Sequence, residues 1–150
     1  MFGLVILQKI IFQLTLIIKA NVYDCCCSYF KKKKKFLLSS RPESKSFHGF
    51  WEFPGGKVNQ NEFMLEALKR ELKEELDLTI KISNTIFLYN YSIYRKKKKI
   101  NLNFFLCLDW YGKVNPLENQ KYEWIKISEL QNFKILRSNK KILRRIHYFF

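Results

Sequence analysis

A chain of 150 residues with 47% hydrophobic and 17% aromatic residues can bury one sizeable core, which excludes a disordered tail. Its formal charge of +15 includes two basic runs, Lys31 to Lys35 and Arg95 to Lys99, each lying between apolar segments. That placement reads as solvated hairpin tips rather than a nucleic-acid or membrane face, although a basic surface still attracts a polyphosphate anion.

Residues 1–18 are an apolar extension broken by Gln8, Lys9 and Gln13. They lack the leading positive charge and the small-residue cleavage site of a secretory signal. A membrane span would put Lys9 near its centre, at about 2.5–3.5 kcal/mol on insertion scales, and is the least favoured reading. An amphipathic helix and a translation start assigned too early are the other two. The domain itself is expected over residues 19–150.

Residues 20–30 and 36–40 read as strands joined by the first lysine run. Arg41-Pro42 ends the second, because proline cannot continue a ladder. Residues 42–50 read as a loop, and Trp51 to Phe53 as a short strand stopped by Pro54-Gly55-Gly56. Over residues 63–76, Met64, Leu65, Leu68, Leu72 and Leu76 form one apolar stripe at helical spacing. Residues 79–82 and 85–94 are strand-like. Ile100, Leu102, Phe104, Leu106 and Leu108 alternate as a strand with one well-buried face, so the second basic run becomes its hairpin turn. Trp124 to Ile127 reads as another short strand. Residues 138–149 read as a closing helix with Ser138 as its N-cap and Ile142, Leu143 and Ile146 inward. Strands around one long helix, with a second at the end, predict an α/β sandwich with a mixed β-sheet. Cys25, Cys26, Cys27 and Cys107 have no zinc-like spacing and read as reduced, small core residues of a cytoplasmic protein.

The chemistry-bearing feature is Arg70-Glu71-Leu72-Lys73-Glu74-Glu75. On a helix Glu71, Glu74 and Glu75 lie near one face, where like charges cost roughly 0.2–0.5 kcal/mol per pair. Such a cluster is tolerated when fully solvated, when Lys69 and Lys73 neutralise it, or when a hard cation such as magnesium sits on it. Just before it, Pro54-Gly55-Gly56-Lys57 offers backbone that can approach a ligand without Cβ interference.

Five residues separate Gly56 from Glu62, seven more lead to Arg70-Glu71-Leu72, and Glu74-Glu75 and Leu78 follow. This run resembles the Nudix box, G-x5-E-x7-R-E-U-x-E-E-x-G-U with U aliphatic, departing from it at Asp77 in place of the last glycine. Asp77 falls where a left-handed residue often ends a helix, and Asn61 stands where a glycine is usual; Asp and Asn tolerate that conformation. Phe63 occupies the usual Ser or Thr cap position, with Glu66 keeping the other half of a capping box, at a cost of about 1 kcal/mol of helix stability. Beyond the box, Leu37 to Pro42, Gly49 to Lys57 and Trp110 through Glu118-Asn119-Gln120 to Trp124 resemble MutT-type 8-oxo-dGTP diphosphatases.

The resemblance implies a Nudix α/β/α sandwich and hydrolysis of a nucleoside triphosphate at the β-phosphorus. For 8-oxo-dGTP the products are 8-oxo-dGMP and pyrophosphate, which keeps oxidised guanine out of newly replicated DNA. It implies that Glu71, Glu74, Glu75 and the Gly55 carbonyl ligate Mg2+, with Mn2+ as a substitute. Glu118 either ligates metal or assists the attacking water, the bland alternative being a plain loop carboxylate, and Glu71 is the other candidate to deprotonate or orient that water. Gly56, Glu62 and Arg70 take structural roles. Lys57 lies near the phosphates, or is a solvated loop lysine. Arg41, Phe53 and Asn139 surround the base; the bland alternatives are core for Phe53 and a helix-end residue for Asn139. An ordinary dNTP, ADP-ribose or a capped RNA end are rival substrates, and a non-catalytic binder of nucleic acid or membrane surface is the rival outside enzymes. The expected molecule is a monomer without a stable nucleic-acid partner.

Overall fold

Eleven residues, Val22–Lys32, form strand β1, and the first lysine run extends the strand instead of ending it. Pairing uses the backbone, so Lys31 and Lys32 still face Phe36 and Lys35 of β2 (Lys35–Ser40), and Lys34, just before β2, is left-handed at φ 60°. The computed structural model describes residues 22–32, 34–95 and 98–146; the apolar extension lies outside them.

Short strands β3 (Trp51–Glu52) and β4 (Gly55–Lys57) precede helix α1 (Met64–Leu76). Then follow β5 (Thr79–Ile80), β6 (Thr85–Arg95), β7 (Lys98–Cys107), β8 (Trp110–Tyr111), β9 (Tyr122–Ile125) and α2 (Lys140–Ile146). The main sheet runs β3-β2-β1-β7-β6, with β4 joined to β1 and β9 to β2. Strands β1 and β7 are parallel from Val22 to Phe30, and β6 and β7 are antiparallel, so the sheet is mixed.

The helices cover opposite faces. Leu68, Leu72 and Leu76 of α1 pack with Phe30, Leu37, Phe105 and Cys107, whereas Ile142 and Ile146 of α2 pack with Phe36, Leu38, Phe53 and Phe104. Adjacent strand residues point to opposite faces, so Leu37 joins one core while Phe36 and Leu38 join the other. That explains four successive buried positions in β2. It also amends the reading of β7, whose two faces are both covered: Leu102 and Phe104 serve α2, Phe105 and Cys107 serve α1. Leu108 falls beyond the strand and is exposed.

Other boundaries differ locally. Gly55–Lys57, expected as a glycine loop, is β4, antiparallel to Cys25–Cys27. The strand expected over 79–82 stops at Ile80 because Ile82–Asn84 tightens into a 3₁₀ turn, and Ile127–Asn132 does the same after β9. Ser138 does not cap α2; it lies within a 3₁₀ turn, Arg137–Asn139, that leads into the helix. Residues 147–149 of the expected closing helix lie outside the described residues. Cys107 is fully buried, and burial pushes the Cys25 thiol up to about 11. Among the described residues no helix is long and apolar enough to cross a membrane.

Both ends of α1 follow the reading of the box. Phe63 makes no side-chain cap bond, and Asp77 closes the helix in the left-handed region at φ 56°, ψ 27°. Asn61 is also left-handed, at φ 62°. Phe63→Ser should therefore stabilise the protein by about 1 kcal/mol through a new cap, whereas Leu72→Ala should destabilise it by about 2–5 kcal/mol. Urea denaturation measures both; a Phe63→Ser midpoint at or below the wild-type value would show that the exposed ring contributes more than a cap.

Candidate active site

The site grows from the contact between β4 and α1. Ser28 of β1 holds the Pro54 carbonyl with its backbone N–H (2.7 Å) and its hydroxyl (2.8 Å), which fixes the turn entering β4. A Cβ added to Gly56 would collide with the Glu71 carboxylate, so the helix carboxylate lies directly on the strand here and would have to move aside for any side chain at position 56.

Arg70 organises the first part of the site. Its guanidinium donates to Glu62 through Nε (2.8 Å) and Nη2 (2.9 Å), to Glu71 (2.7 Å) and Glu74 (3.2 Å) through Nη1, and to the Lys57 carbonyl (2.9 Å). Glu62 also accepts the Asn59 N–H at 2.9 Å, so the loop before α1, the end of β4 and the helix meet on one cation. Those bonds hold the Glu62 carboxyl below its ordinary range, the hydrogen bond from Arg70 being the largest cause.

The second part lies at the end of α1. Helices leave their last carbonyls without intrahelical donors. Here the segment after β8 supplies donors: Asn115 N–H reaches the Leu76 carbonyl, and Leu117 N–H and Gln120 Nε2 reach that of Glu75, each at 2.9 Å. Gln120 is buried, and its Oε1 accepts the Glu118 N–H at 2.8 Å. Trp110 and Trp124 stack 6.0 Å apart and close the base of this loop. Glu118 is thereby set beside Glu75, and Lys45 of the 41–50 loop bridges the two, 3.4 Å from Glu75 and hydrogen-bonded to Glu118. The Glu75 side chain is only 14% exposed. Burial raises its carboxyl to about 7; Lys45 opposes this, while the charges of Glu118, Glu71 and Glu52 add to it.

A third group lies towards α2. Asn139 is buried, and its Oδ1 accepts the Phe53 N–H at 2.8 Å. The Phe53 ring, 2% exposed, packs edge-on to Phe104 and against Phe36. Arg41 donates to Glu52 (2.5 Å) and to the Ser46 carbonyl (2.6 Å), and burial raises the Glu52 carboxyl despite Arg41. Lys57 is exposed at the end of β4.

Glu71, Glu74, Glu75 and Glu118 thus share one end of the fold, but not as the single converging set expected from the helix face. Among the described residues no three His, Cys, Asp or Glu side chains are grouped as a metal cluster. The carboxylates repel one another and divide between two cations, Glu71 and Glu74 on Arg70, Glu75 and Glu118 on Lys45. Neither Lys69 nor Lys73 was the neutralising residue; Lys73 pairs with Asp77. Lys45, Glu52 and Gln120 are parts of the site that sequence reasoning left unassigned. Glu52 and Gln120 lay inside recognised segments, whereas nothing distinguished Lys45 from other loop lysines. The donor set nevertheless suits a hard divalent cation, being carboxylate oxygens with a backbone carbonyl at Gly55, and such a cation would meet the charge of Glu75, whose carboxyl is raised first by burial and then by its acidic neighbours.

Residues 25–145 match the NUDIX domain family. An 8-oxo-dGTP diphosphatase from Buchnera aphidicola subsp. Schizaphis graminum is 41% identical over 93 residues, covering 62% of this chain and 68% of that protein. The CTP pyrophosphohydrolase of Escherichia coli is 29% identical over 99 residues, covering 66% and 72%. A solved MutT structure, from work on Aliivibrio salmonicida and Vibrio cholerae, superposes with a TM-score of 0.73 at 25% identity over 86% of this chain and 99% of its own.

The Glu75 carboxyl has a consequence for stability. Its value in the fold, about 7, lies above the ordinary 4.5, so the folded protein binds this proton more tightly than the unfolded chain. The resulting stabilisation is fully present below pH 4.5 and is lost as pH rises through 7. Glu75→Gln abolishes that loss. In EDTA its stability relative to wild type should improve between pH 5 and pH 8, by up to about 3 kcal/mol. Parallel unfolding curves for the two proteins at both pH values would contradict the buried-carboxylate account.

Proposed function

The chain belongs to the NUDIX domain family, and from that premise we propose that it is a magnesium-dependent 8-oxo-dGTP diphosphatase that cleans the nucleotide pool. The observation that carries this reading is the acidic end of α1, where Glu71 lies on Gly56 and Glu75 is buried beside Glu118. An exposed helix face would have no reason to bury a carboxylate next to others, and solvated glutamates would keep ordinary ionisation. The similarity to 8-oxo-dGTP diphosphatases supports the choice of base.

In this reading Glu71, Glu74, Glu75, Glu118 and the Gly55 carbonyl hold the divalent cation. When bound, that ion supplies neutralisation of phosphate oxygens and activation of water. The chain's own residues do the rest. Arg70 keeps α1 docked on β4, so that Glu71 stays against Gly56. Gln120 fixes the backbone that carries Glu118, whose carboxylate orients the attacking water. Lys57 meets the phosphates. Water adds to the β-phosphorus and the bond from that phosphorus to the α–β bridging oxygen breaks, leaving 8-oxo-dGMP and pyrophosphate. Asn139 has its oxygen committed to Phe53 and donates one amide hydrogen to Ser138 Oγ (3.3 Å), which leaves one amide hydrogen for an acceptor atom on a purine edge, with Arg41 on the neighbouring loop.

A CTP-directed reading has one supporting observation, the similarity to the CTP pyrophosphohydrolase. Pyrophosphate release from 8-oxo-dGTP, dGTP, CTP and ADP-ribose, with and without MgCl2, separates these possibilities. The expected order places 8-oxo-dGTP first, with no turnover in EDTA and kcat/KM for Glu75→Gln lower by orders of magnitude. Faster turnover of CTP would transfer the assignment to that substrate, and near-normal activity of Glu75→Gln would remove Glu75 from the metal site.

A further inference from the structure

Lys45 belongs to no part of the family box, yet its ammonium bridges two of the carboxylates assigned to the cation, 3.4 Å from Glu75 and hydrogen-bonded to Glu118. Its loop is closed on itself. Arg41 N–H donates to the Phe50 carbonyl (2.8 Å), Gly49 N–H to that of Arg41 (3.1 Å) and Lys45 N–H to that of Pro42 (3.0 Å). Arg41 Nε donates to Ser46. At its tip Phe47, in the left-handed region, packs its ring on Phe50 and under the Arg95 guanidinium, 4.6 Å from the ring centre. The loop is therefore a preformed unit that reaches the end of α1 through the Lys45 side chain.

We propose that Lys45 is a resident counter-ion that competes with the divalent cation for Glu75 and Glu118, so that metal binding displaces the ammonium and releases the 41–50 loop from α1. The inference rests on the metal role proposed above. An ammonium and a dication repel, and they cannot both sit between the same two carboxylates. The lysine can leave readily, because its side chain is 40% exposed and that of Glu118 is 41% exposed. The pair would mean little between two surface groups. Here one partner is the largely buried Glu75, whose ionised form needs a cation beside it, either the lysine or the metal. The same loop carries Arg41, so occupancy of the metal site is linked to the position of a residue on the base side.

Titration of full-length protein with Mn2+, followed by the loss of its free EPR signal and without nucleotide, tests this. Lys45→Met should bind Mn2+ roughly threefold to tenfold more tightly than wild type, and Lys45→Arg, which keeps the cation, close to wild type. Lys140→Met removes the same overall charge from an exposed position on α2 and should change nothing. Unchanged or weaker binding by Lys45→Met, or an equal gain in Lys140→Met, overturns the proposal while leaving the metal site standing. If none of the four proteins binds Mn2+, the metal role itself fails, and the competition with it.

Discussion

Packing an acidic helix face onto backbone is the constraint from which the rest of this structure follows. Glu71 can reach β4 because Gly56 has no side chain, and its charge is tolerated there because Arg70 meets it. Five donors in a rigid fork let one guanidinium serve Glu62, Glu71, Glu74 and the Lys57 carbonyl together. A lysine at position 70 would meet one or two of these partners and leave the others to repel. The long spacing of the box thus has a mechanical sense. Glu62 lies eight residues before Arg70 because the loop between β4 and α1 must return to the helix for the two to pair.

The other end of α1 shows how a fold turns an unavoidable deficit into position. The free carbonyls of Glu75 and Leu76 need donors, and the segment carrying Glu118 provides them. The same bonds that finish the helix therefore set the distance between a helix carboxylate and one more than forty residues away in sequence. The stacked Trp110 and Trp124 hold both ends of that segment, and buried Gln120 uses its donor on the helix and its acceptor on the loop. An amide can do this where a carboxylate or an ammonium could not, since it donates and accepts at once.

Legibility in the sequence tracks locality. The α1 stripe, the left-handed Asp77 and Asn61 and the strand character of β7 are set by neighbouring residues, and all were readable. The two-sided burial of β2 and β7 was not, because which residues meet a second helix is decided by chain topology. Strand β4 escaped for the same reason: Gly-Gly-Lys has low strand propensity, and it becomes a strand through pairing with β1. Within the site, residues at fixed spacing were identifiable, but their division between Arg70 and Lys45 depends on a loop folding back from elsewhere. Phe53 illustrates both sides, with its ring in the core and its N–H on Asn139, eighty-six residues on.

The large positive charge can be reconciled with an acidic centre on grounds of range. Charges more than about 8–10 Å apart in physiological salt are largely screened, so Glu71, Glu75 and Glu118 respond to Arg70 and Lys45 rather than to the chain's total of +15. Lys134, Arg137, Lys140, Lys141, Arg144 and Arg145 are all exposed around α2. Two of them rest on tyrosine rings of β6: Arg145 lies 4.0 Å from the centre of Tyr89 and Lys141 lies 5.2 Å from that of Tyr91. These cations shape the field met by a polyphosphate approaching from solvent, whereas the carboxylates shape the field met by a small cation close to α1. In the proposed function one sign recruits the anionic substrate and the other would retain the ion at a point, so the two demands do not cancel.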